Sequence, residues 1–115
     1  MGEKMEFRKI TAIIRREKLE EVEEAMHRLG VPGLSVTKVK GYGDYANYFS
    51  RDWREVRSRI EIFIGAENAA DVVNSILDAA STGLAGDGLV AVLPVEQIYR
   101  IRDRAALPTT KLRKQ

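Results

Sequence analysis

Apolar residues return every three or four positions at Leu19, Val22, Met26 and Leu29, while Glu20, Glu21, Glu23 and Glu24 fill the intervals. That spacing gives a helix one apolar stripe and one wet face, and Gly30 supplies its stop. Upstream, Phe7 to Ile14 is rich in strand-forming residues and ends in Arg15-Arg16. Downstream, Leu34 to Tyr42 carries Val36, Thr37 and Val39, which suits a strand. Val56 to Ile64 alternates, with Ile60, Ile62 and Ile64 on one face and Arg57, Arg59 and Glu61 on the other, predicting a strand covered on one side. Asn68, followed three residues later by Asp71, reads as a helix cap. Val72, Val73, Ile76, Leu77 and Ala80 then mark one helical face until Thr82-Gly83. Leu89 to Val95 is apolar on both faces, as expected of an interior strand or one covered by another subunit, and Gln97 to Arg102 reads as a further short strand.

The predicted order is strand, helix, strand, strand, helix, strand. This is the α+β, ferredoxin-like βαββαβ arrangement: an antiparallel sheet with both helices on one face, built from two βαβ halves that form a loose internal repeat. Leu89, Ala91 and Leu93 alternate with Val90 and Val92, so the face away from the helices is partly apolar, and oligomerisation is the economical way to cover it. A chain of 115 residues with 44% hydrophobic content fits one domain. Its core spans about 7–103, with a loop at 43–55 and a basic tail at 104–115.

Charge changes the picture little. Of the net +2, Lys111, Arg113 and Lys114 supply three positive charges, leaving the rest of the chain at −1. A nucleic-acid binder usually carries a basic face on the fold itself, so no nucleic-acid partner is expected; an aromatic-and-tail RNA or DNA module is the alternative kept. The absence of cysteine removes disulfides and zinc-thiolate sites. The first residues show no apolar signal region, and a cytoplasmic protein is expected. His27 stands alone on the polar side of the first helix, so no catalytic residue and no metal cluster is assigned.

Two stretches carry candidate chemistry. The loop at 43–55 is too long for a tight hairpin, and five of the eight aromatic residues, Tyr42, Tyr45, Tyr48, Phe49 and Trp53, fall in or beside it. These rings either pack on the sheet and one another or dock on a partner. The second stretch, Thr82 to Asp103, sets Gly83, Gly86 and Gly88 in one short turn. Glycine permits positive φ and leaves no Cβ in the way, so backbone N–H groups can converge on an anion. Arg100 and Arg102, two apart on an extended segment, would share a face suited to phosphate oxygens. Alternatively, the glycines form only a helix end and turn, and the arginines pair with Glu61 or Asp103.

Three segments, KITAIIRREKLEEVEEAMHRLGVPGLSVTKVKGYG, RSRIEIFI and ASTGLAGDGLVAVLPVEQIYRIR, together resemble the PII nitrogen-regulatory signal proteins over nearly the whole chain except the loop and the tail. The resemblance implies a homotrimer of ferredoxin-like subunits, not an enzyme. It would bind adenine nucleotide (ATP, ADP or AMP) in clefts between subunits. Its inter-strand loop would regulate a target protein such as a membrane transporter or metabolic enzyme. Carried over by position, Gly86, Asp87 and Gly88 form the phosphate and ribose side of the pocket. Arg100 and Arg102 reach the phosphates, Gly41, Tyr42 and Gly43 line the pocket, and Ile13, Ser35 and Phe63 enclose the adenine. Tyr45, Tyr48, Phe49 and Trp53 belong to the partner-binding loop.

The chain departs from that family's pattern at informative positions. The family has a lysine directly after GDG that contacts phosphate, and here stands Leu89, which favours ADP or AMP over the triphosphate. After GYG the family shows arginine and then glutamine, the latter helping to hold magnesium and 2-oxoglutarate; this chain has Asp44 and Tyr45, leaving Mg²⁺ and 2-oxoglutarate unassigned. Asp44 and Asp52 read either as solvated loop carboxylates or as aids to a divalent metal beside nucleotide phosphates. Arg57 matches a lysine that contacts the 2-oxoglutarate carboxylate. It is therefore either an exposed strand arginine or a contact for another small anion such as bicarbonate. The loop is shorter than the family's, and neither Tyr45 nor Tyr48 is assigned as a modification site.

Overall fold

The structure, a computed structural model, describes residues 6–41 and 55–107. Its elements are β1 (Phe7–Arg15), α1 (Leu19–Leu29), β2 (Ser35–Gly41), β3 (Glu55–Gly65), α2 (Ala69–Ala80) and β4 (Gly88–Val95), followed by two short strands, β5 (Tyr99–Arg100) and β6 (Ala105–Ala106). The order strand, helix, strand, strand, helix, strand is the one the periodicities predict. The four long strands form one sheet in the order β2-β3-β1-β4, antiparallel throughout. Each helix therefore connects two strands that skip a neighbour: α1 carries the chain from β1 past β3 to β2, and α2 carries it from β3 past β1 to β4.

Alternation decides where the core lies. Ile10, Ala12 and Ile14 of β1 and Ile60, Ile62 and Ile64 of β3 point to one face. There they pack with Val22, Ala25 and Met26 of α1 and Val72, Ile76 and Ala80 of α2, all buried. Each fully buried aliphatic side chain contributes about 1.5–3 kcal/mol. Gly30 ends α1 as expected, at φ 90°, and its N–H donates to the carbonyls of Met26 and His27 at 3.2 and 3.1 Å. Asn68 holds the N-cap position of α2, as read, with one difference. A 3-10 turn, Ala66–Asn68, precedes α2; Asn68 has helical backbone angles, and its side chain makes no capping bond. The same device, Arg16–Lys18, precedes α1, so the internal repeat extends to the helix entrances. Among the described residues no helix is long and apolar enough to cross a membrane.

The face of the sheet away from the helices is open. Register orders it in rows: Phe63, Lys9, Leu93; then Ser35, Glu61, Thr11, Ala91; then Thr37, Arg59, Ile13, Leu89; then Val39, Arg57, Arg15. Phe63 is 52% exposed and Leu93 and Leu89 about two-fifths, so this face is partly apolar, as the pattern of β4 implies. Lys9 crosses to Glu61 at 2.6 Å, and its Nζ lies 6.0 Å from the Phe63 ring centre.

The C-terminal part differs from the expected strand over 97–102. Only Tyr99–Arg100 is extended; residues 101–104 turn, and Ala105–Ala106 pairs back on β5. Leu107 N–H closes the hairpin on Ile98 O at 2.8 Å. Residues 104–107, counted with the tail on sequence, therefore belong to this hairpin.

Candidate functional site

The chain leaves α2 at Ala80 and enters β4 at Gly88, and the turn between them folds onto the end of the sheet where β1 finishes and β3 starts. Its three glycines all take the left-handed region: Gly83 at φ 81°, Gly86 at φ 92° and Gly88 at φ 110°. A residue with a Cβ is disfavoured there. Gly88 is constrained twice, because a Cβ at that position would lie 1.8 Å from the Ile13 carbonyl oxygen. The expectation of positive φ in this stretch holds.

The anion that the turn's amides hold is the chain's own. Asp87 accepts from the backbone N–H of Thr82 at 2.8 Å and of Gly83 at 2.9 Å, and from the Thr82 hydroxyl. Thr82 Oγ1 in turn accepts the Leu84 N–H at 3.2 Å. Arg15, at the end of β1, donates through Nε to Asp87 Oδ1 and through Nη2 to the Ala85 carbonyl, both at 2.9 Å. Burial pushes the Asp87 carboxyl up, but the Thr82 hydroxyl, Arg15 and the two amides outweigh it and hold the group well below the usual carboxylate range. Asp87, assigned to the phosphate and ribose side of a pocket, also fixes its own turn.

Arg57 is not the exposed strand arginine that its alternation suggests. It sits on the open face but is only 1% exposed, because the turn covers it, and its Nη1 donates to the Gly86 carbonyl. Glu61, by contrast, is held low chiefly by its hydrogen bond from Lys9. The suggested pairing of Glu61 with an arginine of the C-terminal stretch gives way to Lys9. The pairing with Asp103 is present, from Arg100 Nε at 3.3 Å.

The structure distributes the remaining sequence-assigned residues over three places. Ile13 lies beside Leu89 and next to the glycine turn. Ser35 and Phe63 lie on the open face toward the other end of β3, one and two rows beyond Ile13. Each row adds about 7 Å along a strand. Arg100 and Arg102 sit exposed on the hairpin, and since residues 101–104 turn, the argument that the two arginines share one face of a strand does not apply. Gly41 closes β2. Tyr42, Gly43, Tyr45, Tyr48, Phe49 and Trp53, with Asp44 and Asp52, lie outside the described residues.

An apolar groove of about 120 Å³ runs between β4 and the end of α2, lined by Ile13, Ile76, Leu77, Ala80, Gly88 and Leu89 among others. Ligand pockets usually hold about 300–1,000 Å³. This groove alone is smaller than that. Sequence reasoning assigned no role to Arg15 or Thr82. Arg15 contacts a residue 72 positions away, so only the strand register, which brings the end of β1 beside the start of β4, makes the contact visible.

Comparison with known proteins agrees with this geometry. The family model described as nitrogen regulatory protein P-II matches residues 7–105. Nitrogen regulatory protein P-II 2 of Methanothermobacter thermautotrophicus is 39% identical over 103 residues, covering 84% of this chain and 90% of its own length. The P-II protein of Rhizobium meliloti is 38% identical over 103 residues, with 84% and 92% covered. Among solved structures, Arabidopsis thaliana PII bound to citrate superposes with a TM-score of 0.77 at 30% identity, covering 89% of both chains. With the sheet order, the glycine turn and these relatives in agreement, the chain belongs to the nitrogen regulatory protein P-II family.

Proposed function

We propose that this chain is a P-II regulator that binds an adenine nucleotide, ADP or AMP in preference to ATP, in a crevice completed by a neighbouring copy of itself. Members of the family are regulatory signal proteins and not enzymes. The observation that carries the reading is the division of the candidate site. The glycine turn with Ile13 lies at one end of the open sheet face, Ser35 and Phe63 lie toward the other, and the arginines stand on a projecting hairpin. A second and third copy on the open face would cover Phe63, Leu89 and Leu93 and bring one protomer's turn opposite another's Ser35 and Phe63.

Leu89 supports the choice of nucleotide. It follows the turn directly, lies two-fifths exposed beside Ile13, and offers an apolar side chain where the family pattern has a lysine for phosphate. A third phosphate adds charge that finds no counterpart there. Occupancy would act on a target protein through loop 43–55, by binding one loop arrangement more tightly than another. Arg57 is less suited to a separate small anion, since its Nη1 already holds the Gly86 carbonyl. Calorimetric titration of the protein with AMP, ADP and ATP tests the reading: saturable heat is expected, with ATP the weakest of the three. No heat and no thermal stabilisation with any of them would remove it.

A further inference from the structure

We propose that Arg15 is a positioning residue for the proposed nucleotide site, acting through Asp87 and not by touching the ligand. The proposal rests on the nucleotide reading given above, and its test separates the two.

Four contacts carry it. Arg15 uses both sides of one guanidinium on the turn: Nε reaches the Asp87 carboxylate and Nη2 the Ala85 carbonyl, each at 2.9 Å. The same carboxylate takes the amides of Thr82 and Gly83 at 2.8 and 2.9 Å. Arg15 ties the turn to the sheet at Ala85 and Asp87, beside Arg57, which holds Gly86; the Thr82 and Gly83 bonds close the turn on itself. The side chain of Arg15 is 11% exposed and that of Asp87 24%, so solvent competes only partly for the pair. Gly83, Gly86 and Gly88 are free of Cβ constraints and have many accessible backbone states. A glycine-rich turn needs something outside itself to choose one of them, and a planar, two-pronged cation anchored on a strand is suited to do so.

The consequence concerns preorganisation. A turn held in one form before the ligand arrives loses less entropy on binding than one that must be ordered by it. Arg15 therefore affects affinity for any ligand that uses the backbone of residues 83–88, whatever its phosphate count. A residue that touched the β-phosphate directly would instead weaken ADP more than AMP.

The experiment uses the full chain and five proteins: wild type, R15Q, D87N, the double variant and, as the conservative comparison, R15K. AMP and ADP affinities are measured by calorimetry, and amide hydrogen exchange over residues 81–88 is followed without nucleotide. Loss of about tenfold in affinity is expected for R15Q, the same factor for AMP and ADP, with the double variant no weaker than the weaker single one and R15K recovering part of the loss. Faster exchange of the Thr82 and Gly83 amides in R15Q should accompany it. Additive losses in the double variant, or a larger loss for ADP than for AMP, would overturn the positioning role in favour of direct contact. Unchanged affinity with unchanged exchange would overturn it altogether. If wild type binds no adenine nucleotide, the functional reading fails, and the exchange data alone then decide whether Arg15 orders the turn.

Discussion

Arg15 and Arg57 stand directly opposite one another across the β1–β3 ladder, and both reach the same turn, Arg15 at Ala85 and Asp87 and Arg57 at Gly86. Like charges facing each other across strands are unfavourable unless something between them compensates. Here two backbone carbonyls and one carboxylate do so. The glycine-rich turn is fastened from below at consecutive residues.

Replacing Arg57 by leucine should destabilise the fold by about 1–3 kcal/mol, because the Gly86 carbonyl loses its charged donor beneath the turn. Relief of the like-charge pair with Arg15 pulls the figure toward the low end. Urea unfolding with an unchanged m-value is the measurement; equal stability would mean that the bond carries nothing.

The glycines should rank unequally. Alanine at Gly88 meets the Ile13 carbonyl and a left-handed φ together, for a cost of about 3 kcal/mol or more. At Gly83 only the φ of 81° is unfavourable, with open space around it, for about 1–2 kcal/mol. Thermal denaturation of both variants checks the order, and a G83A variant less stable than G88A would contradict the geometry.

Asp87 sets a pH dependence whose sign is fixed. Its carboxyl is held below its unfolded value, so its contribution is complete above the ordinary carboxylate range and is lost as pH falls through the folded-state value. The stability gap between wild type and D87N should thus be widest near neutrality and narrow as the pH drops below about 4. Because the side chain is partly solvated, the neutral-pH gap should be modest, about 1 kcal/mol. Denaturation midpoints across an acid series test this, and a gap that widens toward low pH would refute it.

Restoring a cation after the glycine turn should change nucleotide preference. An L89K variant is expected to gain about tenfold for ATP relative to AMP, since the new ammonium stands beside Ile13 at the mouth of the turn. Competition of the two nucleotides for one fluorescent analogue would measure the ratio; no change would place the phosphates elsewhere.

Much of this architecture is legible in the chain. Ile60, Ile62 and Ile64 announce the covered face of β3, the three- and four-residue spacing of Leu19 to Leu29 announces α1, and the spacing of Gly83, Gly86 and Gly88 announces a turn with positive φ. What escaped has a common cause. Arg57 alternates with Arg59 and Glu61 and so reads as wet; it is buried because a distant loop lies over it, and the contact is with a backbone carbonyl, which leaves no mark in sequence. The tie between Asp87 and Arg15 is equally silent, because the two are 72 residues apart. The short strand expected over 97–102 shrinks to Tyr99–Arg100 because the chain turns back at 101–104, where Ile101 is 94% exposed.

Native mass spectrometry of the full chain with and without ADP tests the central claim most directly, because it reads assembly and ligand count together. The account predicts trimers that take up as many as three nucleotides, with none retained on isolated chains. Monomers alone, or nucleotide carried by single chains as readily as by trimers, would contradict it.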